Sequence, residues 1–436
     1  MKQIQAWWFR SNLYKRMQNA KYFLLPSLFN KKPCIEVYVA LKDPHSYMLI
    51  QALIHIEQRY EVDITLYLVY ESLPGINVYP KLMRQWVLTD ANVIAHRYGL
   101  KAITVAPNDS QLLTGQQYWQ LSVKNVVDAE KLFTTTWQGS FEYYCQTSTP
   151  VINFQIKNQR RLVNKGHYLA ATCFFAGEWF LGVDRLKYLE QRLLSLGLIK
   201  KDSEPYFQHE FNDEHFTDLT VPIIKDRTVD VYLSLNCPYS YIGFVKAVRL
   251  ATKHQLTLSI KPIIPIEKRG FKIPVNKQKY MYSDAYREAK AADIAFSNTI
   301  TWFDQHVVCC YQIFSYAAAQ GKAIDYVSAV FNALFVESIN LNDEHAMKRM
   351  CQQLQIDHAE ALAYQQQHDW QVWAEQHVKE LAELGLWGTP CFRYQSTSCW
   401  GQDRFFLIEQ AISQPPEVNS EYSEEGYPVK VNVNRL

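Results

Sequence analysis

Apolar positions along this chain follow two periods, and they alternate in blocks. Residues 230–235 (D-V-Y-L-S-L) and 256–263 (L-T-L-S-I-K-P-I) run or alternate with apolar and β-branched side chains, which predicts β-strands. Residues 302–338 and 343–384 carry few glycines and no proline. Their apolar residues return every three or four positions, which predicts helices. A further strand is predicted near 391–394, then a closing helix. The N-terminal half repeats this order, with its late strand near 173–175. Strands at both ends with a helical block between them describe an α/β sheet carrying a helical subdomain, present twice.

The two blocks align residue by residue. E-V-Y-V-A-L-K-D-P-H-S-Y (36–47) matches D-V-Y-L-S-L-N-C-P-Y-S-Y (230–241) at an offset of 194, and Q-W-V-L-T-D-A (85–91) matches K-Y-M-Y-S-D-A (279–285) at the same offset. G-V-D-R-L (182–186) matches G-Q-D-R-F (401–405) at an offset of 219, so the second copy is longer by 25 residues (219 − 194). The expected domains are 34–200 and 226–412, joined by a polar linker at 201–225. Residues 1–33 form a basic, aromatic N-terminal extension. The tail, 413–436, is rich in Ser, Glu and Pro.

Composition narrows the function classes. With 45 Lys+Arg against 43 Asp+Glu the net charge is +2, and no concentrated basic patch lies outside the N-terminus, so no nucleic-acid partner is expected. Residues 1–32 hold seven Lys or Arg and no acid, beside Trp7, Trp8 and Phe9. They read either as a helix packed on its own domain or as one making weak contact with a membrane surface. No stretch reaches the roughly eighteen apolar residues that span a bilayer. Nine cysteines without C-x-x-C spacing point to a reducing, cytoplasmic compartment, and the scattered histidines support no metal site.

Cys237 is the candidate nucleophile. It precedes Pro238 at the change from strand to helix, and proline suits the first helical position. Free N–H groups and the helix dipole at that place are expected to lower the thiol pKa. Three positions on stands Ser240, so the motif is C-P-Y-S and no dithiol closes within the turn. Ser240 either donates to a thiolate on Cys237 or bonds back into its own helix. Gly388-Thr389-Pro390-Cys391 places a proline at a strand entrance, a candidate cis-proline. Cys391 reads as a buried strand residue or as a resolving thiol, and Cys309, Cys310 and Cys351 read as core. In the first copy Asp43 stands where Cys237 does, as an N-cap. Thr172 falls opposite Pro390 at an offset of 218, so the first copy is expected to be structural.

Strand, C-P-x-x, helix, inserted helical block and then G-T-P before a strand resemble the DsbA-type thioredoxin fold. K-Q-K-Y-M-Y-S-D-A-Y-R-E-A (277–289), Leu334-Phe335-Val336-Glu337 and W-G-Q-D-R (400–404) are similar to 2-hydroxychromene-2-carboxylate isomerases and kappa-class glutathione transferases. The resemblance covers about 226–412, and about 34–197 in degraded form. It implies two tandem DsbA-like thioredoxin folds, each with an inserted helical subdomain, that pair as an intramolecular pseudo-dimer. The implied activity is that of a glutathione-linked enzyme of isomerase, transferase or thiol-transfer type. Glutathione would be the cosubstrate, and a small electrophile or disulfide the substrate. Cys237, Ser240 and Pro390 would be catalytic. Thr389 and Pro390 would contact the cysteinyl group of glutathione, Gln402 and Asp403 its γ-glutamyl end, and Lys277 a carboxylate. The family usually has serine at the position of Cys237, and this departure admits a mixed disulfide where serine allows only a hydrogen bond. A protein thiol-disulfide oxidoreductase and a non-enzymatic binding module are the alternatives.

Overall fold

The computed structural model describes residues 32–72, 79–141, 152–208, 227–297 and 307–413. The N-terminal extension before Lys32, most of the linker and the tail after Ser413 lie outside these residues. So does any membrane contact of residues 1–31. The chain divides into two compact units, one built on the first half together with Pro274–Tyr280, the other on the remainder of the second half.

In the first unit β1 (Cys34–Val39), α1 (Pro44–Arg59) and β2 (Asp63–Leu68) form a right-sized β-α-β unit, followed by α2 (Pro80–Arg97). Three helices come next: α3 (Asp109–Ser122), α4 (Val126–Gln138) and α5 (Ile152–Asn164). The chain returns as a hairpin of β3 (Thr172–Phe175) and β4 (Glu178–Leu181), a single 3₁₀ turn at Val183–Arg185 and α6 (Leu186–Ser195). Strand order is β2-β1-β3-β4. β1 is parallel to β2 and antiparallel to β3, which is antiparallel to β4.

The second unit repeats the topology. β5 (Thr228–Leu233), α7 (Pro238–His254) and β6 (Thr257–Pro262) precede α8 (Val275–Ala291). The insert is α9 (Val308–Ala319), α10 (Ala323–Phe331), a π-helical turn at Asn332–Val336, then α11 (Glu344–Gln353), α12 (His358–Gln367) and α13 (Trp370–Glu383). β7 (Cys391–Tyr394), β8 (Thr397–Trp400), a 3₁₀ turn at Gln402–Arg404 and α14 (Phe406–Ser413) close it. The sheet order is β6-β5-β7-β8 with the same pattern of directions. The predicted α/β class and helical inserts are therefore present in both halves. The hairpin partners β4 and β8 escaped the pattern reading.

Each sheet buries the face that meets its helices. Val37, Val39, Cys173 and Phe180 sit in the first core, and Val231, Leu233 and Phe392 in the second, all sealed from solvent. The strand registers also correct one alignment. Tyr38 pairs with Thr172, and its counterpart Tyr232 pairs with Cys391. Gly182 N–H donates to the Ala171 carbonyl at 2.7 Å, and Gly401 N–H to the Pro390 carbonyl at 2.8 Å. The residue opposite Pro390 is thus Ala171, not Thr172, and the offset of 219 begins before the strand. Ala171 has φ +53° and follows a trans peptide bond, while Thr389-Pro390 is cis.

Candidate functional site

The site grows out of the turn between β5 and α7. Cys237 N–H donates to the Ser234 carbonyl at 3.0 Å, and the Cys237 carbonyl accepts from Tyr241 N–H at 3.1 Å, so Cys237 is the N-cap of a seventeen-residue helix that begins at Pro238. The turn is supported from below by Tyr311, whose hydroxyl accepts from Leu235 N–H at 3.2 Å and donates to the Ile263 carbonyl at 2.9 Å. That phenol is fully enclosed, and burial pushes its pKa up.

Ser240 is completely buried, and its hydroxyl accepts from Ser234 N–H at 3.2 Å. The same bond exists in the first half, where the Ser46 hydroxyl accepts from Ala40 N–H at 3.1 Å. There the hydroxyl proton goes to Asp43 at 2.6 Å. In the second half the Ser240 hydroxyl and the N–H groups of Ser240 and Tyr239 stabilise a charge on Cys237. The serine thus ties the end of the strand to the first turn of the helix in both halves.

Cys237 itself departs from the sequence expectation. Burial is the largest influence on its thiol and pushes the pKa above the ordinary value, outweighing the helix N-terminus and the Ser240 hydroxyl. A helix dipole and two or three donors are too weak to replace the water that a thiolate loses here. The side chain is half-buried, and its Sγ lies 3.9 Å from the Thr389 carbonyl oxygen. Thr389 and Pro390 therefore face the nucleophile through main-chain atoms of the cis peptide.

Two glycines permit this approach. A Cβ on Gly243, inside α7, would lie 2.7 Å from Phe392 Cζ and 3.1 Å from Pro390 Cγ. A Cβ on Gly388 would run into the indole of Trp400. Sequence reasoning passed over Gly243, because one glycine in a helical pattern carries little signal. Its counterpart in the first half is Leu49, whereas the counterpart of Phe392 is the smaller Cys173.

Cys391 is sealed in β7, donates to the Gly388 carbonyl at 3.2 Å and has its pKa pushed well up by burial. Cys310 and Cys351 are core residues as expected. Cys309 is half-buried and donates to the Leu341 carbonyl at 3.2 Å. The eight cysteines of the described residues are all free.

A polar constellation surrounds the turn. The Tyr239 hydroxyl donates to Asp284 at 2.8 Å, and Arg287 closes on the other oxygen of that fully buried carboxylate. In the first half the equivalent His45 and Asp90 stand 3.5 Å apart. Neither pair was foreseen, although comparing the copies at the 194 offset aligns them. Gln402 is 2% exposed, and its side-chain amide is fully engaged. Nε2 donates to Glu288 at 2.8 Å and to Asp403, while Oε1 accepts from Lys246 at 2.8 Å. Asp403 is half-buried beside it. Lys277 lies in the first turn of α8, within Pro274–Tyr280, which groups with the first unit. The structure thus brings Cys237, Ser240, Thr389 and Pro390 together and hydrogen-bonds Gln402 to Asp403.

In the first half Asp43 is saturated as a cap, accepting from His45 N–H at 3.2 Å and from Ser46 N–H at 3.0 Å. Among the described residues no cluster of three or more His, Cys, Asp or Glu side chains is placed to hold a metal, and no helix is long and apolar enough to cross a membrane.

Residues 228–413 match the DSBA-like thioredoxin domain. A 2-hydroxychromene-2-carboxylate isomerase of Pseudomonas putida is 22% identical over 206 residues, covering 45% of this chain and 98% of that protein. Among solved structures, a 2-hydroxychromene-2-carboxylate isomerase is 23% identical with a TM-score of 0.36, covering 42% of this chain and 94% of its own. The cytosolic disulfide reductase DsbM of Pseudomonas aeruginosa is 14% identical with a TM-score of 0.33, covering 43% and 95%.

Proposed function

We propose that residues 228–413, a DSBA-like thioredoxin domain, form a glutathione-linked thiol enzyme that works through Cys237 alone. The observation that carries this reading is the placement of one half-buried thiol at a helix N-terminus, 3.9 Å from the carbonyl of the cis Thr389-Pro390 peptide, with Ser240 where a second thiol would stand. A dithiol oxidoreductase needs a partner sulfur, and Cys391 is walled off by its own strand. The relatedness to an isomerase favours chemistry on a small molecule with glutathione as cosubstrate.

In the exchange step the Cys237 thiol loses its proton and its sulfur attacks one sulfur of glutathione disulfide. The Cys237–glutathione bond forms as the glutathione S–S bond breaks, and the leaving glutathione thiolate takes up the proton. Ser240 hydrogen-bonds the attacking sulfur. With an electrophile in place of the disulfide, the same cleft would hold the thiolate of reduced glutathione against the cis peptide. Because burial raises the Cys237 pKa, the attacking species becomes more abundant as pH rises above neutrality.

Incubation with glutathione disulfide, followed by intact mass and peptide mapping, tests this. A single glutathione adduct on Cys237, formed faster at higher pH and absent in Cys237→Ser, is the expected result. Equal modification of all accessible cysteines, or no adduct on Cys237, overturns the reading.

A further inference from the structure

Both halves close the turn between first strand and first helix with the same bonds, so side chains that only one half adds there stand out. The N–H of the capping residue donates to the carbonyl three positions back, Asp43 to Ala40 and Cys237 to Ser234, each at 3.0 Å. A buried serine in the first turn of the helix accepts from the N–H of that same residue, Ser46 from Ala40 at 3.1 Å and Ser240 from Ser234 at 3.2 Å. The turn needs no side chain at the positions of Ala40 and Lys42, which are a buried methyl and an exposed cation. At the offset of 194 the second half has Ser234 and Asn236 instead.

These two residues are bonded to each other. The Ser234 hydroxyl, 6% exposed, donates to Asn236 Oδ1 at 2.8 Å. On its other side it lies 3.5 Å from the Tyr311 hydroxyl, whose own proton goes to the Ile263 carbonyl at 2.9 Å. Asn236 is therefore held by its amide oxygen, one peptide bond before the nucleophile. Its amide nitrogen carries two donors. Among the described residues neither has a protein partner, and the nitrogen is open to solvent.

A fixed, unused donor pair beside Cys237 fits a particular need of disulfide exchange. In that reaction negative charge leaves the attacking sulfur and builds on the departing one. The attacking sulfur has donors of its own, the Ser240 hydroxyl and the N–H groups of Ser240 and Tyr239. The departing sulfur becomes a thiolate in the same half-buried surroundings, where charge without a hydrogen bond is costly. A donor already aimed at that place lowers the barrier without reorganising.

We propose that Asn236 is a catalytic residue for disulfide exchange at Cys237, its amide N–H donating to the departing thiolate, and that Ser234 is the positioning residue that aims it. The Cys237 thiol loses its proton to solvent and its sulfur attacks the substrate disulfide. The Cys237–S bond forms, the substrate S–S bond breaks, and its electron pair goes to the departing sulfur, which takes a proton from solvent. Asn236 supplies a hydrogen bond throughout and gives up no proton. This inference rests on the reading of Cys237 as an exchanging thiol, but not on glutathione as the substrate.

The test varies the leaving group. Exchange rates of the full chain are measured with glutathione disulfide, hydroxyethyl disulfide and dithiobis(nitrobenzoic acid), and each is divided by the rate at which iodoacetamide alkylates Cys237 in the same variant. That ratio cancels any change in thiolate population. Asn236→Leu is expected to slow the first two by about tenfold, the effect of losing one charge-assisted hydrogen bond. The nitrobenzoate thiol is far more acidic and leaves without help, so its ratio stays at the wild-type value. Asn236→Asp, which keeps the shape but has no N–H to give, loses at least as much as Asn236→Leu. Ser234→Ala shows a smaller loss with the same dependence on leaving group. Ratios that are unchanged in Asn236→Leu, or that fall equally for all three disulfides, refute the role of Asn236 and leave the exchanging thiol in place. A wild type that exchanges with none of the three removes both. If the wild type exchanges with hydroxyethyl disulfide and not with glutathione disulfide, the glutathione reading falls, and a leaving-group dependence between the other two still upholds Asn236.

Discussion

Gly243→Ala probes the closest contact between the nucleophile's helix and the cis-proline loop. Two effects oppose each other. Alanine is favoured over glycine in a helix interior by about 1 kcal/mol. The new methyl would meet Phe392 Cζ at 2.7 Å and Pro390 Cγ at 3.1 Å, inside normal contact distance. Phe392 is completely buried and packs edge-on against Phe405 with ring centroids 4.7 Å apart, so the ring has no room to withdraw. Overpacking of this kind costs about 1–3 kcal/mol. The net change is a destabilisation of up to about 2 kcal/mol, which lowers Tm by several degrees in a domain of this size.

Function should respond as well as stability. The loop that yields is Thr389-Pro390, which sits 3.9 Å from the Cys237 sulfur. Opening it readmits water, so the thiol pKa falls and alkylation by iodoacetamide accelerates at neutral pH. Glutathione affinity falls by about tenfold, or ~1.4 kcal/mol, because the main-chain contacts are displaced. Phe392→Leu in the same chain removes the clashing ring carbon and should recover much of the affinity. The assays are chemical denaturation, alkylation kinetics and calorimetric titration. A variant that gains stability while keeping wild-type alkylation and affinity would show that Gly243 is not a spacer, and the argument fails.

Cys237 alkylation in the wild type should rise with pH to a midpoint above that of free cysteine, about 8.5, because burial favours the neutral thiol. Ser240→Ala should move it higher still by removing a donor to the thiolate, and a stopped-flow pH profile with a midpoint below neutrality would contradict both. The raised folded-state pKa also means that the contribution of this thiol to stability is complete below about pH 8.5 and is lost as pH rises through the folded value; urea titrations of wild type and Cys237→Ala above pH 8.5 should converge in slope if some other group dominates. Asp43→Ala removes an N-cap that accepts two backbone N–H groups and the Ser46 hydroxyl, and should destabilise the first unit by about 1–2 kcal/mol without altering Cys237 alkylation.

Much of the site was legible as text because its parts are local. A proline one residue after Cys237 marks the helix start, Ser240 excludes a dithiol within the turn, and G-T-P announces the strand entrance. The Asp43 cap was equally plain, since capping depends on residues two and three positions away. Gly243 and the Lys246–Glu288–Gln402 network were not legible, because each contact joins residues from different elements and none has a period or motif of its own. The position opposite Pro390 was misread by one residue because one residue of the length change was placed after the strand entrance, and the pairing of Tyr38 with Thr172 and of Tyr232 with Cys391 locates it.

The sequence by itself determined the class of each half, the order of its elements and the identity of the single candidate thiol, since these follow from hydrophobic period and from chain-local stereochemistry. Tertiary structure decided the direction in which the pKa of that thiol moves. Its pKa depends on how much water the surrounding elements exclude, and the enclosure of Cys237 reverses the direction that its helix position alone implies. Tertiary structure also decided the partners of Gln402, since Lys246 and Glu288, which hydrogen-bond its side chain, lie more than a hundred residues earlier in the chain.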